Sequence, residues 1–313
     1  MAASTTPAPV EETLAWEAQW APRAAATAIV AGLFTLGGTV LQGAALRSRP
    51  SVTLSQGLHD AATPNNPHGL LEPTLAYVDR HMALLTIGQV LTALAAPLTA
   101  LALIYLFRAV RARQLSFGQG ALIAVAIGGV ASLVGILVGQ IAVDISVSNF
   151  VSAADHSTQA AHDALQPPIA IAAGLIQFVG HVALGLGFVL IALNAMRVGL
   201  LTRFMGVLGM ITGALQILPI GGPLPVVQAF WLIMLSVLFL GRWPNGQPPA
   251  WASGKAEPWP SSADVRAQRQ KAMAARRGEA PPDDAEPAEA EEPVPANGPS
   301  PSTSATKRKR KRR

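Results

Sequence analysis

Apolar residues fill this chain in long unbroken stretches, with polar positions gathered between them and at the two ends. The hydrocarbon core of a bilayer is roughly 30 Å thick, a distance that about 20 helical residues cross. Six stretches answer to that length: residues 24–46, 83–107, 118–143, 169–196, 204–220 and 224–240. The pattern predicts an all-α fold, a polytopic membrane helix bundle of about six spans. The last two stretches are short and are joined by Pro219, Gly221, Gly222, Pro223 and Pro225, which cannot continue a helix. A tight turn closing one antiparallel hairpin is expected there. Pro97 lies inside the second stretch and predicts a kink.

The same pattern divides the chain into an N-terminal segment (1–23), the six-span bundle (24–241) and a tail (242–313). Residues 10–20 read as a short helix lying at the membrane interface, with Leu14, Trp16 and Trp20 turned toward lipid. A cleaved signal peptide is not expected, because Glu11, Glu12 and Glu17 precede the first apolar stretch and only Arg23 offsets them. In the tail, Trp243, Trp251 and Trp259 alternate with prolines, which suits an extended segment along the interface. A short helix is expected over 262–277. From 279 to 304 the chain is acidic, then rich in Pro and Ser, and lacks the apolar residues that folding needs. A disordered tail follows from that composition, ending in Lys307, Arg308, Lys309, Arg310, Lys311, Arg312 and Arg313.

Composition agrees with a membrane fold. Half of the residues (50%) are hydrophobic and only 13% are charged, against roughly 25% charged in soluble domains. The net charge of +5 and the isoelectric point near 10.1 come largely from the last seven residues. There is no cysteine, which excludes disulfides, thiolate zinc sites and iron–sulfur clusters. Cytoplasmic loops retain Arg and Lys. Arg108, Arg111 and Arg113 follow the second stretch, Arg197 and Arg203 separate the fourth from the fifth, and Arg242 follows the sixth. Both termini are therefore expected in the cytoplasm, although Arg47, Arg49 and Arg80 fall in the first outer loop.

Lipid tails are as apolar as leucine, so helices in a membrane associate through close backbone approach and polar pairing. In the third stretch Ala121, Ala124, Gly128, Ser132, Gly135 and Gly139 repeat at helical spacing, and Gly209 and Gly213 form a second small-residue pair in the fifth. Tight packing within one chain is the expected use, with a homo-oligomer seam as the alternative.

Ionisable groups at membrane depth are rare because burying them is costly, so each is a candidate for function. His181 lies in mid-span, with Gln177 one turn before it. A neutral imidazole donates one hydrogen bond and accepts another, and it exchanges protons near neutrality. His181 is expected either to hydrogen-bond Gln140, Gln89 or Gln216 on neighbouring helices, or to join Gln177, Gln140 and Asp144 in contacting a ligand or handling protons. The outer loops collect His59, Asp60, His68, Glu72, Asp79, His81, Asp155, His156, His162 and Asp163. On a helix Asp155 would share a face with His162, and His156 with Asp163. Such a set suits a divalent metal or a cationic solute, yet no spacing matches a known zinc or calcium site, and no metal is expected.

No P-loop, nucleophile elbow, HExxH or dinucleotide fingerprint is present, so neither an enzyme nor a cofactor is expected. The basic terminus suits anionic lipid, each Lys or Arg contributing on the order of 1 kcal/mol near the surface. No aromatics interleave it, and no specific nucleic acid is expected as a partner. The leading expectation is a structural or regulatory membrane component that works by binding. The alternatives are a small-solute carrier or channel with a polar cavity at His181, and an enzyme using His81, Asp144 and His156.

The stretches NAMRVGLLTRFMGVLG (194–209), LPVVQAFWLIMLSVLFLGRWPNGQPPAW (224–251) and EPWP (257–260) resemble a family of actinobacterial multi-pass membrane proteins of unknown function. IYLFRAVRARQ after the second stretch is similar more loosely. The resemblance implies the bacterial plasma membrane and a helical bundle, and it attaches no catalytic residue to these positions.

Overall fold

The computed structural model describes residues 9–62, 69–218, 224–244 and 246–259, together with 266, 269, 270, 272 and 273. Met1–Trp259 form one compact unit. In chain order its helices are α1 (Val10–Leu46), α2 (Leu54–Ala62), α3 (Glu72–Arg80), α4 (Met82–Arg113), α5 (Gly120–Ser152), α6 (Thr158–Leu165), α7 (Pro168–Arg197), α8 (Arg203–Ile217), α9 (Leu224–Phe239) and α10 (Pro249–Ser253). There is no strand among the described residues. The second unit, Pro260–Arg313, is described at five positions only, all helical. The polybasic run and most of the expected 262–277 helix lie outside the described residues, as does the 219–223 turn.

Four segments are long and apolar enough to cross a membrane: Val10–Leu46, Met82–Arg113, Gly120–Ser152 and Thr158–Arg197, the last containing α6 and α7. The helices α8 and α9 are apolar but only 15 and 16 residues long, which at 1.5 Å per residue is about 23–24 Å. The outward face of α5 suits lipid as its surroundings. Ile123, Ile127, Val130, Val134, Val138, Ile141 and Ile145 recur every three or four residues, each at least 40% exposed. They form a stripe about 33 Å long at the helical rise, close to the thickness of a hydrocarbon core. Water would penalise that surface; lipid does not.

The long helices pack in a closed circuit: α1 on α4, α4 on α5, α5 on α7, α7 on α8, α8 on α9, and α9 back on α1, with α4 also meeting α7. Close approach rests on the small residues. A Cβ on Gly135 would sit 2.6 Å from the Gln177 nitrogen of α7, and one on Gly180 would sit 2.6 Å from the Ser132 nitrogen of α5. Gly128 meets the Leu184 backbone in the same way. The stripe predicted in the third stretch is thus spent on α7, inside one chain. Gly213 lies against Gly185 and Val189, and Gly209 against Ala192 and Trp231, so the second pair fastens α8 to α7 and α9. A third close approach, Gly38 of α1 on Gly88 of α4, joins residues that showed no comparable repeat. Several hydroxyls within the helices bond the preceding turn, as Thr35 to Ala31, Thr99 to Ala95 and Thr212 to Leu208 do, which satisfies them without water.

Two parts of the sequence reading change. Residues 10–20 are not a separate interfacial helix: α1 runs unbroken through Pro22 to Leu46. Its 37 residues span about 55 Å. Trp16 turns inward and stacks on Tyr105 with ring centroids 5.3 Å apart, while Trp20 stays exposed. The segment 242–259 is not an extended strip on a lipid surface either. It folds across the end of the bundle that carries Arg113 and Arg197, called here the basic end. The indole N–H groups of Trp251 and Trp259 donate to the carbonyls of Leu200 and Leu201, both at 2.8 Å, and the Glu257 N–H donates to Val198 at 3.0 Å. Gly199 makes this possible: its φ of +78° suits glycine, and a Cβ there would strike the Glu257 carbonyl. Free indole N–H groups and free carbonyls at the α7–α8 corner find one another, and the folded unit extends to Trp259.

Candidate functional site

Toward the opposite end, α4, α5 and α7 each contribute a glutamine to one groove. Gln89, Gln140 and Gln177 line a cavity of about 190 Å³ with Gly135, Gly139 and Gly174. The space exists because the small stripe that lets α5 approach α7 continues past their crossing, where Gly139 and Gly174 leave room without side chains. Gln140 donates to Asp144 Oδ1 at 2.7 Å, and the Thr86 hydroxyl of α4 donates to Oδ2 at 2.7 Å. Asp144 therefore ties α5 to α4 beside the groove. The side-chain amides of Gln89 and Gln177 make no hydrogen bond to another described residue. Each amide carries both donors and acceptors, so the groove suits a small solute that does likewise. Alanine at 144 leaves Thr86 and Gln140 unpaired and is expected to cost about 1–3 kcal/mol, read as a lower melting temperature in detergent.

The sequence grouped His181 with these residues; the structure brings Gln177 and Gln140 to one groove, with Asp144 bonded to Gln140, and sets His181 one turn beyond Gln177. His181 is half-buried one turn beyond Gln177, lines none of the described cavities, and bonds neither Gln140 nor Gln89. Gln216, a third expected partner, has a buried side-chain oxygen with no hydrogen bond.

Among the described residues, the histidines and acids of the opposite end meet at most in pairs. No group of three that would hold a metal exists among the described residues. His81 turns its Nδ1 to the Tyr77 carbonyl at 2.9 Å and stacks on the Tyr77 ring at 4.1 Å. His156 Nδ1 meets Glu72 Oε1 at 2.8 Å, and its carbonyl accepts from Gly69 at 2.7 Å, so this histidine clips the start of α3 to the α5–α6 corner. Its Nε2 is buried and unpartnered. The shared faces predicted for Asp155 with His162 and His156 with Asp163 do not form, because α6 begins only at Thr158. Asp155 accepts instead from the Ser157 N–H at 2.9 Å, and that bond holds its carboxyl below the usual carboxylate range. His162 and Asp163 are exposed neighbours. His59 and Asp60 have no described side chains, and His68 lies outside the described residues. Around these groups Leu75, Val147, Phe150, Ala161 and Ala164 form a small apolar cluster, so the end reads as a packed cap.

This chain matches no family model, no curated protein and no solved structure.

The strongest polar arrangement lies at the basic end, where sequence reading saw only a charged loop. Arg113, at the last turn of α4, is completely buried at its side chain and forms a forked ion pair with Glu17 of α1, itself 5% exposed. One fork donates to Glu17 Oε2 at 3.1 Å. The guanidinium also donates to the Ala250 carbonyl of α10 at 2.6 Å and the Ala109 carbonyl at 2.9 Å. Tyr105 donates to the Glu17 carbonyl at 3.1 Å, and Trp16, Phe239 and Trp251 pack around its ring. One side chain thus joins α1, α4 and α10. The signal was present in the sequence as a single acid, Glu17, four residues after Thr13 and seven before Ala24, on the face of α1 that is buried.

Proposed function

We propose that this chain is a non-enzymatic component of the bacterial plasma membrane that works as an anchor and presents its tail to anionic lipid. In this reading all six apolar segments lie in the bilayer, α8 and α9 forming a thin hairpin, and both termini are cytoplasmic. The supporting observation is the closure of the basic end. Segment 242–259 is pinned to α1, α4 and the α7–α8 corner through Trp259, so the tail begins from a fixed point. Arginines 108, 111, 113, 197, 203 and 242 gather at that same end, as retention in the cytoplasm requires. The composition of 279–304 supports an unfolded linker, and 307–313 supply a run of seven cations.

The test uses the full chain in nanodiscs. Vesicles rich in phosphatidylglycerol are expected to bind those nanodiscs, and deletion of 307–313 is expected to abolish binding at low salt. Equal binding by the truncated protein would remove the tail from the proposal.

A second reading, favoured by the glutamine groove, is a binding site for a small neutral solute at 89, 140 and 177. A through-path for a carrier finds less support, because Phe188, Ile191, Trp231 and Leu235 fill the bundle between the groove and the basic end.

A further inference from the structure

Between α1 and α4, at the basic end, lies a trough that no part of the described chain fills. Trp16, Trp20, Leu101 and Ile104 wall a cavity of about 390 Å³, and Arg23 and Arg108 line it as well. A second cavity, also about 390 Å³, shares Trp16 and Arg108 and continues to Arg111 and Leu115. Both surfaces are chiefly apolar, yet three guanidiniums stand in them. None of the three makes an ion pair or hydrogen bond with another described residue. Arg23 lies 4.9 Å over the ring of Trp20, three residues earlier, so it points back along α1 toward the basic end. Glu12 lines the second cavity, and Glu17, the other nearby acid, is committed to Arg113.

The pattern along α4 tells what fits. Ile87, Leu94, Leu101 and Arg108 follow at seven-residue steps on one exposed face. The apolar part runs about 21 Å at the helical rise, more than the roughly 15 Å depth of one leaflet, and then turns cationic. A surface that is apolar for a leaflet and basic at its end matches an amphiphile with a chain and a negative headgroup.

We infer that this trough holds an anionic glycerophospholipid, with its phosphate between Arg23 and Arg108, Arg111 beside it, and an acyl chain along Trp16, Trp20 and Leu101. Guanidiniums that pair with no described carboxylate are free to bind phosphate oxygens by charge-assisted hydrogen bonds, often in pairs. The amino group of a zwitterionic headgroup would meet the same cations unfavourably, which selects the anionic lipid. The site rests on the bundle lying in a bilayer and is independent of the tail.

The experiment is native mass spectrometry of the full chain released from nanodiscs containing equal phosphatidylcholine and phosphatidylglycerol. One retained phosphatidylglycerol per chain is expected, unchanged by millimolar inorganic phosphate and unchanged by deletion of 307–313. Arg23→Gln with Arg108→Gln is expected to lower retention at least about tenfold, since each cation contributes on the order of 1 kcal/mol. Arg242→Gln, at the same end but outside the trough, serves as the charge control and is expected to retain the lipid. Equal retention of the two lipids, full retention by the folded double variant, displacement by free phosphate, or loss on tail deletion alone would each overturn the site. The tail deletion separates this failure from failure of the anchor reading, and the melting temperature of the double variant confirms its fold.

Discussion

A leucine in place of Gly135 is expected to part α5 from α7 and to leave little folded protein after extraction into mild detergent. The added Cβ alone would lie 2.6 Å from the Gln177 nitrogen and 2.8 Å from the Ala173 carbonyl, both backbone atoms that no rotamer change moves aside. Gly128 and Gly180 make equivalent contacts along the same crossing, so the two helices cannot separate at one point and stay together at the others. Overpacking costs typically 1–3 kcal/mol where side chains yield. Here a whole helix must shift, and about 3 kcal/mol or more is expected from a total stability on the order of 5–15 kcal/mol. The check is thermal unfolding followed by tryptophan fluorescence, with size-exclusion chromatography to count folded material. Gly43→Ala is the control: nothing lies within 4 Å of a Cβ there, and the exchange is expected to be neutral or mildly stabilising. A Gly135→Leu protein that melts with the wild type would remove close backbone approach as the organising contact.

Breaking the Glu17–Arg113 pair is the second large effect. Removing one partner leaves a buried charge without compensation, which costs about 3–5 kcal/mol. Arg113→Met is expected to exceed Glu17→Leu, because the guanidinium also holds the Ala250 carbonyl and its loss frees α10 as well. The double variant Glu17→Leu with Arg113→Met is expected to be less damaging than the sum of the two, since an apolar pair fills the site without a stranded ion. Melting temperatures of the four proteins give the coupling directly. Additive losses would mean that the two groups act separately.

The membrane character, the helical class and the α5 stripe were legible in the sequence because they depend on period and composition. A helix shows its small-residue face whether or not its partner is known. Partners were harder to see. Glu17 looked like a surface acid of an amphipathic leader, because the pattern of α1 does not say that Arg113, nearly a hundred residues on, is brought against it. Trp251 and Trp259 looked like interface tryptophans, since an indole N–H needs a polar partner either at the headgroups or on a carbonyl, and only the folded α7–α8 corner provides Leu200 and Leu201. His181 drew attention by its rarity at depth, whereas the groove formed one turn away, where Gly139 and Gly174 leave space. Helical position identified the face of α7 that lines the groove, with Gln177 on it and His181 one turn beyond. The shared faces expected for Asp155 with His162 and His156 with Asp163 did not form because α6 starts at Thr158, which takes Asp155 and His156 out of the helix that would have aligned them.

The stitching of α10 to Arg113 has a consequence for how the protein is made. A ribosome that has finished α1 and α4 has produced the ion pair but not the carbonyl of Ala250 that completes it, which lies 137 residues further along the chain. Until residue 250 leaves the exit tunnel, the first helix waits with its charged crossing partly uncovered. Nascent chains truncated between residues 113 and 250 should therefore be the forms that membrane proteases recognise and clear first.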